Sequence, residues 1–452
     1  MEPSTVQRLS GWGRFPVQTC RVFRPEKRSS LPGILASEAE PSYIARGLGR
    51  SYGDAALNAA GAVISFERLN RLIAFDSTTG VLECEAGVTL AEILDVFLPR
   101  GHMLPVTPGT KFVTLGGAIA NDVHGKNHHR VGTIGNFLLD FRLLTTAGDE
   151  ITCSRERQPD VFWATVGGAG LTGLLLSARI QLQQVETAYV RVDTQKAPHF
   201  EEAIAVMTES DHLYDYSVAW IDCLARGKAL GRSVLIRGNP AQKGDLPARV
   251  GDPLRRHRGT ERSLAFDFPS GVLNRFSVGA FNAAFYRTHR NRPGRIVPIE
   301  SFFYPLDSIH GWNRMYGRRG FVQYQLVFPL ETSRNGLTEV LERVSGSGRG
   351  SFLGVLKRFG DANDGLLSFP FPGYTLALDL PVTDGLLPFL KNLDAVVLRH
   401  GGRLYLAKDA VTAPDSFAAM YPRLEEFRAI KARLDPKNRL SSSLARRLGI
   451  TP

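Results

Sequence analysis

Two glycine-rich segments, RGLGRSYGD at Arg46–Asp54 and TPGTKFVTLGGAIANDVHG at 107–125, set the first requirement on the fold. Three glycines in the first segment let successive backbone N–H groups turn to one side, which makes an anion nest. In the second, Gly116 and Gly117 open a helix, whose start carries free N–H groups and the positive end of a dipole. Two such cradles brought together suit a pyrophosphate. HGKN (124–127) is not a P-loop, because no glycine stands five residues before Gly125 and Asn127 replaces Ser/Thr. GAGLTG (168–173) satisfies GxGxxG, but its surroundings are inverted. PDVFWATV before it reads as helix and LLLSARIQL after it as strand, so these glycines form a tight helix-to-strand connection rather than a Rossmann turn.

The pattern from 61 to 185 is mixed α+β. AVISFERL reads as a strand, and LIAFDSTTGVLECEAG as two strands joined at Thr-Thr-Gly. TLAEILDVFLPRG carries a capping box, Thr89 with Glu92, and stops at Gly101. MLPVTPGT returns extended, and after the histidine-rich loop two strands flank the AGDE turn. Beyond residue 187 the texture changes to extended aromatic runs (YSVAWIDCL, FVQYQLVFP, GYTLALDLPV) alternating with helical patterns. That pattern predicts an antiparallel sheet with helices on one face. The tail PDSFAAMYPRLEEFRAIKARLD reads as one amphipathic helix.

A chain of 452 residues, 43% hydrophobic, is long enough for two or three full cores. Cys20, Cys84, Cys153 and Cys223 lie far apart with no CxxC, which argues against disulfides and structural metal. The first residues lack a leader pattern and no stretch reaches about 18 uninterrupted apolar residues. These features predict a reducing, cytoplasmic protein without a membrane span. The net charge of +11 calls for an anionic partner. Its densest patch, PLRRHRGTER (253–262), fits a solvated loop or a peripheral contact with a membrane face. No nucleic-acid module accompanies the charge. His124 and His128 stand four apart, but Gly125 and Asn127 oppose the helix that would put both on one face of a metal. Loop histidines here suit hydrogen bonds to a cofactor or an anionic substrate.

RGLGRSYGD, TPGTKFVTLGGAIANDVHGKNHH, FWATVGGAGLTGLL and the closing DPKNRLSS resemble, in that order, the vanillyl-alcohol oxidase type of FAD-binding proteins. Within that superfamily RGLGRSYGD, HGKNHH, YSVAWIDCL, FVQYQ, LYLAKD and ARRL resemble the flavoprotein subunits of decaprenylphosphoryl-β-D-ribose 2'-epimerases. The similarity runs from residue 9 to the C-terminus. It implies an α+β, two-subdomain FAD-binding fold (1–187, completed by 403–452) with an inserted substrate domain (188–402). FAD would lie along Arg46, Gly47, Leu48, Gly49, Arg50, Ser51, Tyr52, Gly53 and Asp54, then Gly109, Thr114, Leu115, Gly116, Gly117, Asn121 and His124, with Tyr405 touching it. Some relatives attach flavin covalently to a histidine of the first loop; Arg50 stands at the candidate position, so the cofactor is expected to be non-covalent.

The resemblance further implies oxidation of the ribose 2-hydroxyl of a polyprenylphosphoryl ribose to a 2-keto sugar, which a separate NADH-dependent short-chain reductase returns with inversion. Lys408 is the first catalytic candidate, for positioning and electrostatics, since acting as base requires a lowered pKa. Tyr52 and His124 would assist. Trp220, Gln325, Lys357 and Lys408 match positions lining the substrate cavity, and Lys357 suits the lipid phosphate. Thr375 and Ala377 depart from the Asn and Cys that some members place beside the flavin. The alternative on the same fold is a soluble sugar or alditol oxidase using O₂.

Overall fold

The computed structural model describes residues 3–257 and 262–451. Arg258, Gly259, Thr260 and Glu261 of the basic patch lie outside the described residues.

Among the described residues the strands make three sheets of four or more strands. The first orders Ser4–Ser10, Val17–Phe23, Ala62–Ser65 and Tyr43–Arg46, antiparallel at its outer pair and parallel elsewhere. The second, all antiparallel, orders Leu72–Asp76, Val81–Glu85, Leu174–Gln181, Leu138–Leu144 and Glu150–Ser154. Its central strand, LLLSARIQ, is buried from Leu174 to Ala178 and again at Ile180, with Arg179 exposed. The capping box forms as expected: Thr89 Oγ1 accepts from the Glu92 N–H, and the helix Leu90–Phe97 runs into a last turn closed by Gly101 in the left-handed region.

The third sheet is antiparallel throughout, in the order Arg292–Pro298, Tyr189–Ala197, Ser233–Pro240, Tyr216–Ile221, Gly354–Phe359, Gly373–Pro381, Phe321–Pro329, Arg403–Leu404. The two faces of a strand alternate residue by residue. Tyr324, Leu326, Leu356, Leu376 and Leu378 point into a core shared with Leu337, Leu341, Leu390 and Val397 of the helices Leu330–Ser347 and Leu386–Arg399. Their neighbours Gln323, Gln325, Val355, Lys357, Ala377 and Asp379 point the other way and line a cavity. The sheet is thus a wall with an oily back and a polar front, and every side chain on that front is placed by register.

Three expectations differ. Of MLPVTPGT only Met103 pairs, joining the preceding His102 in a two-stranded ribbon with Gln183–Gln184, since Pro105 and Pro108 offer no N–H to a ladder. The tail is two helices, Pro414–Met420 and Leu424–Leu434, because Pro422 holds Tyr421 out of helical geometry (φ −125°, ψ 83°). The described part of the basic patch is not simply solvated: the Arg256 guanidinium turns inward to Glu300 and Asp95, and His257 meets the Tyr189 hydroxyl. The four cysteines are buried free thiols. No described helix is long and apolar enough to cross a membrane.

Candidate active site

A large cavity of about 930 Å³ lies between the polar front of the third sheet and the two glycine segments. That is near the upper end for small-molecule sites. The segments do converge: a Cβ on Gly47 would stand 2.2 Å from Thr114 Oγ1, so only glycine allows this approach.

Their backbone donors differ in availability. The N–H groups of residues 47–51 donate to nothing among the described residues. At the Gly-Gly helix, by contrast, Leu115 N–H donates to Val88 O, Gly116 N–H to Ala86 O, and Gly117 N–H to the capping Thr114 Oγ1. Its start is spent on the fold. The first loop therefore keeps its backbone donors available, whereas the start of the Gly-Gly helix does not. Gly109 lines the cavity with nothing within 4 Å of where a Cβ would be, so the floor there is open to a ligand. Five successive unengaged donors beside an open floor fit the diphosphate of a dinucleotide.

Of the residues expected at the cofactor, Arg46 to Tyr52, Gly109, Thr114, Gly116, Gly117, Asn121, His124 and Tyr405 line the cavity. Gly53, Asp54 and Leu115 stand behind it. Gly53 is backed against Asp409 O, where a Cβ would come within 1.8 Å. Leu115 is core. The Asp54 carboxylate accepts from Arg447 at 2.8 and 3.0 Å, and the same guanidinium reaches Asp409 Oδ2 at 3.0 Å. Arg447 thus ties the first loop to the turn after Arg403–Leu404. Tyr52 N–H donates to Ala407 O at 2.9 Å across this junction, which brings Lys408 Nζ to 3.7 Å from the Tyr52 ring centroid. The arginines of the loop are also structural. Arg46 donates to Ser10 O and Ala56 O, and Arg50 lies 4.3 Å over the Trp12 ring.

Trp220, Gln325, Lys357 and Lys408 all line the cavity. Trp220 Nε1 donates to Phe352 O at 2.9 Å, fixing its ring beside Phe285. Gln325 Nε2 lies 3.1 Å from His124 Nε2 and 3.3 Å from Thr375 Oγ1. An amide nitrogen only donates, so His124 Nε2 accepts and its proton sits on Nδ1. Burial, with Lys357 nearby, holds His124 well below the usual imidazole range, so it is neutral. Burial likewise keeps Tyr52 and Tyr405 as phenols, and Tyr405 Oη donates to Asn121 O at 2.7 Å. Thr375 is not at the cavity; it donates to Leu326 O and steadies Gln325, while Ala377 leaves the wall low.

Several wall residues were not foreseen. Asp379 stands two residues beyond Ala377, with Oδ1 accepting from Gln323 Nε2 at 2.5 Å and Oδ2 buried without a partner. A lone acid inside the apolar strand run TLALDL was the available signal. Lys126, whose ammonium donates to Phe302 O, is two residues from His124. Ala169, Gly170 and Gly173 of the helix-to-strand turn also reach the cavity. Among the described residues no group of three His, Cys, Asp or Glu is placed to hold a metal.

The electrostatics of the cavity are unusual. Burial pushes Lys357 down to about 8, and burial with the Lys357 charge pushes Lys126 down to about 7. Burial also lowers Lys408, partly offset by Asp379, and raises Asp379, partly offset by Gln323 and Lys408. Lys126, Lys357 and Lys408, half-buried, share the cavity wall with Arg46, Arg50 and Arg295 and with two carboxylates, Asp307 and Asp379, so basic side chains outnumber acidic ones there.

A family model described as "FAD binding domain" matches residues 21–154, and one described as "D-arabinono-1,4-lactone oxidase" matches 378–448. The chain is 41% identical to a decaprenylphosphoryl-beta-D-ribose oxidase of Mycolicibacterium smegmatis, over 99% of this chain and 98% of that protein. It is 35% identical to an uncharacterised protein of Streptomyces coelicolor over 80% of this chain and all of that one. Identity to the mitochondrial L-galactono-1,4-lactone dehydrogenase 1 of Oryza sativa subsp. japonica is 27%, over 41% of this chain and 31% of that protein. The FAD-binding match covers the segments that build the cradle, and the full-length match covers the sheet wall, the lysines and the Arg447 tie. The chain belongs to the vanillyl-alcohol oxidase type of flavoproteins, in the family of the decaprenylphosphoryl-β-D-ribose oxidases, and its cofactor is FAD.

Proposed function

We propose that this protein oxidises the ribose 2-hydroxyl of a polyprenylphosphoryl-β-D-ribose to the 2-keto sugar, the first half of a 2'-epimerisation towards an arabinose donor for cell-envelope polysaccharide. The observation that carries this reading is the excess of basic over acidic side chains along one cavity: Lys126, Lys357 and Lys408, with Arg46, Arg50 and Arg295, against the carboxylates Asp307 and Asp379. A neutral sugar or alditol offers that excess no counter-charge; a phosphodiester does.

Residues 1–187 and 403–452 form the unit that holds FAD in this reading, and 188–402 the unit that presents the sugar, with Arg403–Leu404 bridging them. The diphosphate rests on the N–H groups of residues 47–51, and Gly109, Gly116, Gly117, Asn121, His124 and Tyr405 complete the walls. No covalent link is made, since Arg50 occupies the loop position that would carry it. When bound, FAD supplies the two-electron acceptor. The chain's own part is to orient the alcohol and take its proton. Lys408 and Asp379 are shifted towards each other, so one of them is unprotonated near neutral pH and accepts the hydroxyl proton. With Asp379 as the acceptor, Lys408 stays a cation above Tyr52 and stabilises negative charge developing at the substrate oxygen. Gln325, whose two amide hydrogens go to Thr375 and neutral His124, presents its Oε1 to accept from a sugar hydroxyl. Lys357 and Lys126 hold the phosphate. The 2-keto product then passes to a separate NADH-dependent short-chain reductase, and the enzyme works in the cytoplasm at the membrane's inner face.

The test is product analysis. Polyprenylphosphoryl ribose is expected to lose its C2 hydrogen and the 2-hydroxyl hydrogen, while free ribose and xylitol stay unchanged; rapid peroxide formation from free sugars would establish the oxidase alternative instead. The pH profile gives a second check. A lysine lowered to about 8 is charged below that pH and neutral above it, so kcat/KM should fall as pH rises through 8. In Lys357→Met that limb should vanish, with KM raised at neutral pH and kcat little changed.

A further inference from the structure

Residues 268–299 contain no acidic side chain, yet carry Arg275, Arg287, Arg290, Arg292 and Arg295, all exposed. None of these arginines forms an ion pair among the described residues. The helix Arg275–Thr288 at the centre of this segment buries only Val278 and Asn282; the latter is held by Asp222 and Ser351. Its opposite face runs Phe276, Ala280, Ala284, Arg287, spaced four, four and three, and every one of these is exposed. Phe276 is 74% exposed, and Phe266, on the chain leading into the helix, 66%. A water-facing helix of a globular protein puts acids and lysines there. This one shows aromatic and small apolar residues ringed by arginine, which is the composition of an interfacial helix.

The position matters as much as the composition. Phe281 and Phe285 of the same helix, with His289 and Arg295 just beyond it, line the cavity. The outward stripe is therefore continuous with the rim through which a ligand enters.

We propose that this helix and its flanks are a docking face for an anionic bilayer, with Phe276 and Phe266 entering the interface and Arg275, Arg287, Arg290 and Arg292 meeting lipid phosphates. Charge complementarity favours this occupant over a second copy of the chain, which would set five arginines against five. The link to catalysis rests on the proposed polyprenylphosphoryl substrate: a cavity mouth laid on the membrane lets the phosphoryl sugar enter while the lipid stays in the bilayer.

The test uses the FAD-loaded full chain and substrate-free vesicles, so it is independent of the proposed chemistry. Sedimentation should show binding to vesicles containing phosphatidylglycerol and about tenfold or more weaker binding to pure phosphatidylcholine, with loss at high salt. A Phe266→Ser/Phe276→Ser variant and an Arg287→Gln/Arg290→Gln variant should each lose about tenfold or more in vesicle affinity. Both should melt normally and turn over a short-chain, water-soluble phosphoryl ribose at the wild-type rate. Equal binding to both vesicle types, variants that bind like wild type, or a dimer that Phe276→Ser dissociates would each overturn the proposal. Normal vesicle binding with no oxidation of any phosphoryl ribose would sink the proposed function and leave the docking face standing.

Discussion

Replacing Lys408 by methionine is expected to lower the rate of substrate oxidation by about a thousandfold while FAD remains bound. Methionine keeps the length and apolar body of the side chain but removes the ammonium over Tyr52 and the charge that offsets the effect of burial on Asp379. The loss should fall on kcat and kcat/KM together, because the interaction belongs to the transition state. Asp379→Asn should be costly too, and the double variant should lose far less than the product of the two, since the pair acts as a unit. Stopped-flow measurement of flavin reduction reads this step directly. A decrease below tenfold for Lys408→Met would remove the residue from the chemistry.

The second large effect is on the fold. Arg447 bridges Asp54 and Asp409, both buried, and its side chain is mostly buried itself. Removing one partner of a buried ionic group leaves the others desolvated and unpaired, which costs about 3–5 kcal/mol. Arg447→Met should therefore lower Tm sharply, and because the tie joins the first glycine loop to the turn carrying Lys408, FAD should dissociate before the rest of the chain melts. Arg447→Lys should recover little, as one ammonium cannot reproduce the two-sided fork. Equal melting of wild type and Arg447→Met would show that the triad is not what holds the two segments together.

Local rules carried much of the structure. The capping box at Thr89, the turn at Thr-Thr-Gly and the inverted surroundings of GAGLTG each depend on a few neighbouring residues, and each forms as its residues dictate. What local pattern could not convey was competition for donors. Gly116–Gly117 has the look of an anion site, but Thr114 and two carbonyls from Val88 and Ala86 take its N–H groups first. Nor could it convey register. Asp379 and Gln323 belong to the site because each lies two residues from a cavity-facing neighbour on a paired strand, a fact of sheet pairing. The substrate residues came from resemblance, and the structure shows why they gather: Trp220, Gln325 and Lys357 share one face of one sheet. Asp54 came from the same source and has a different duty, as the anchor of Arg447.

The most direct test of the whole account is the visible spectrum of the purified protein during anaerobic addition of a polyprenylphosphoryl ribose. A flavin band that is released into solution by acid denaturation, and that bleaches with this substrate but not with free ribose or xylitol, is the predicted result. A colourless protein that takes up no FAD, or a flavin left oxidised by the phosphoryl sugar, would contradict it.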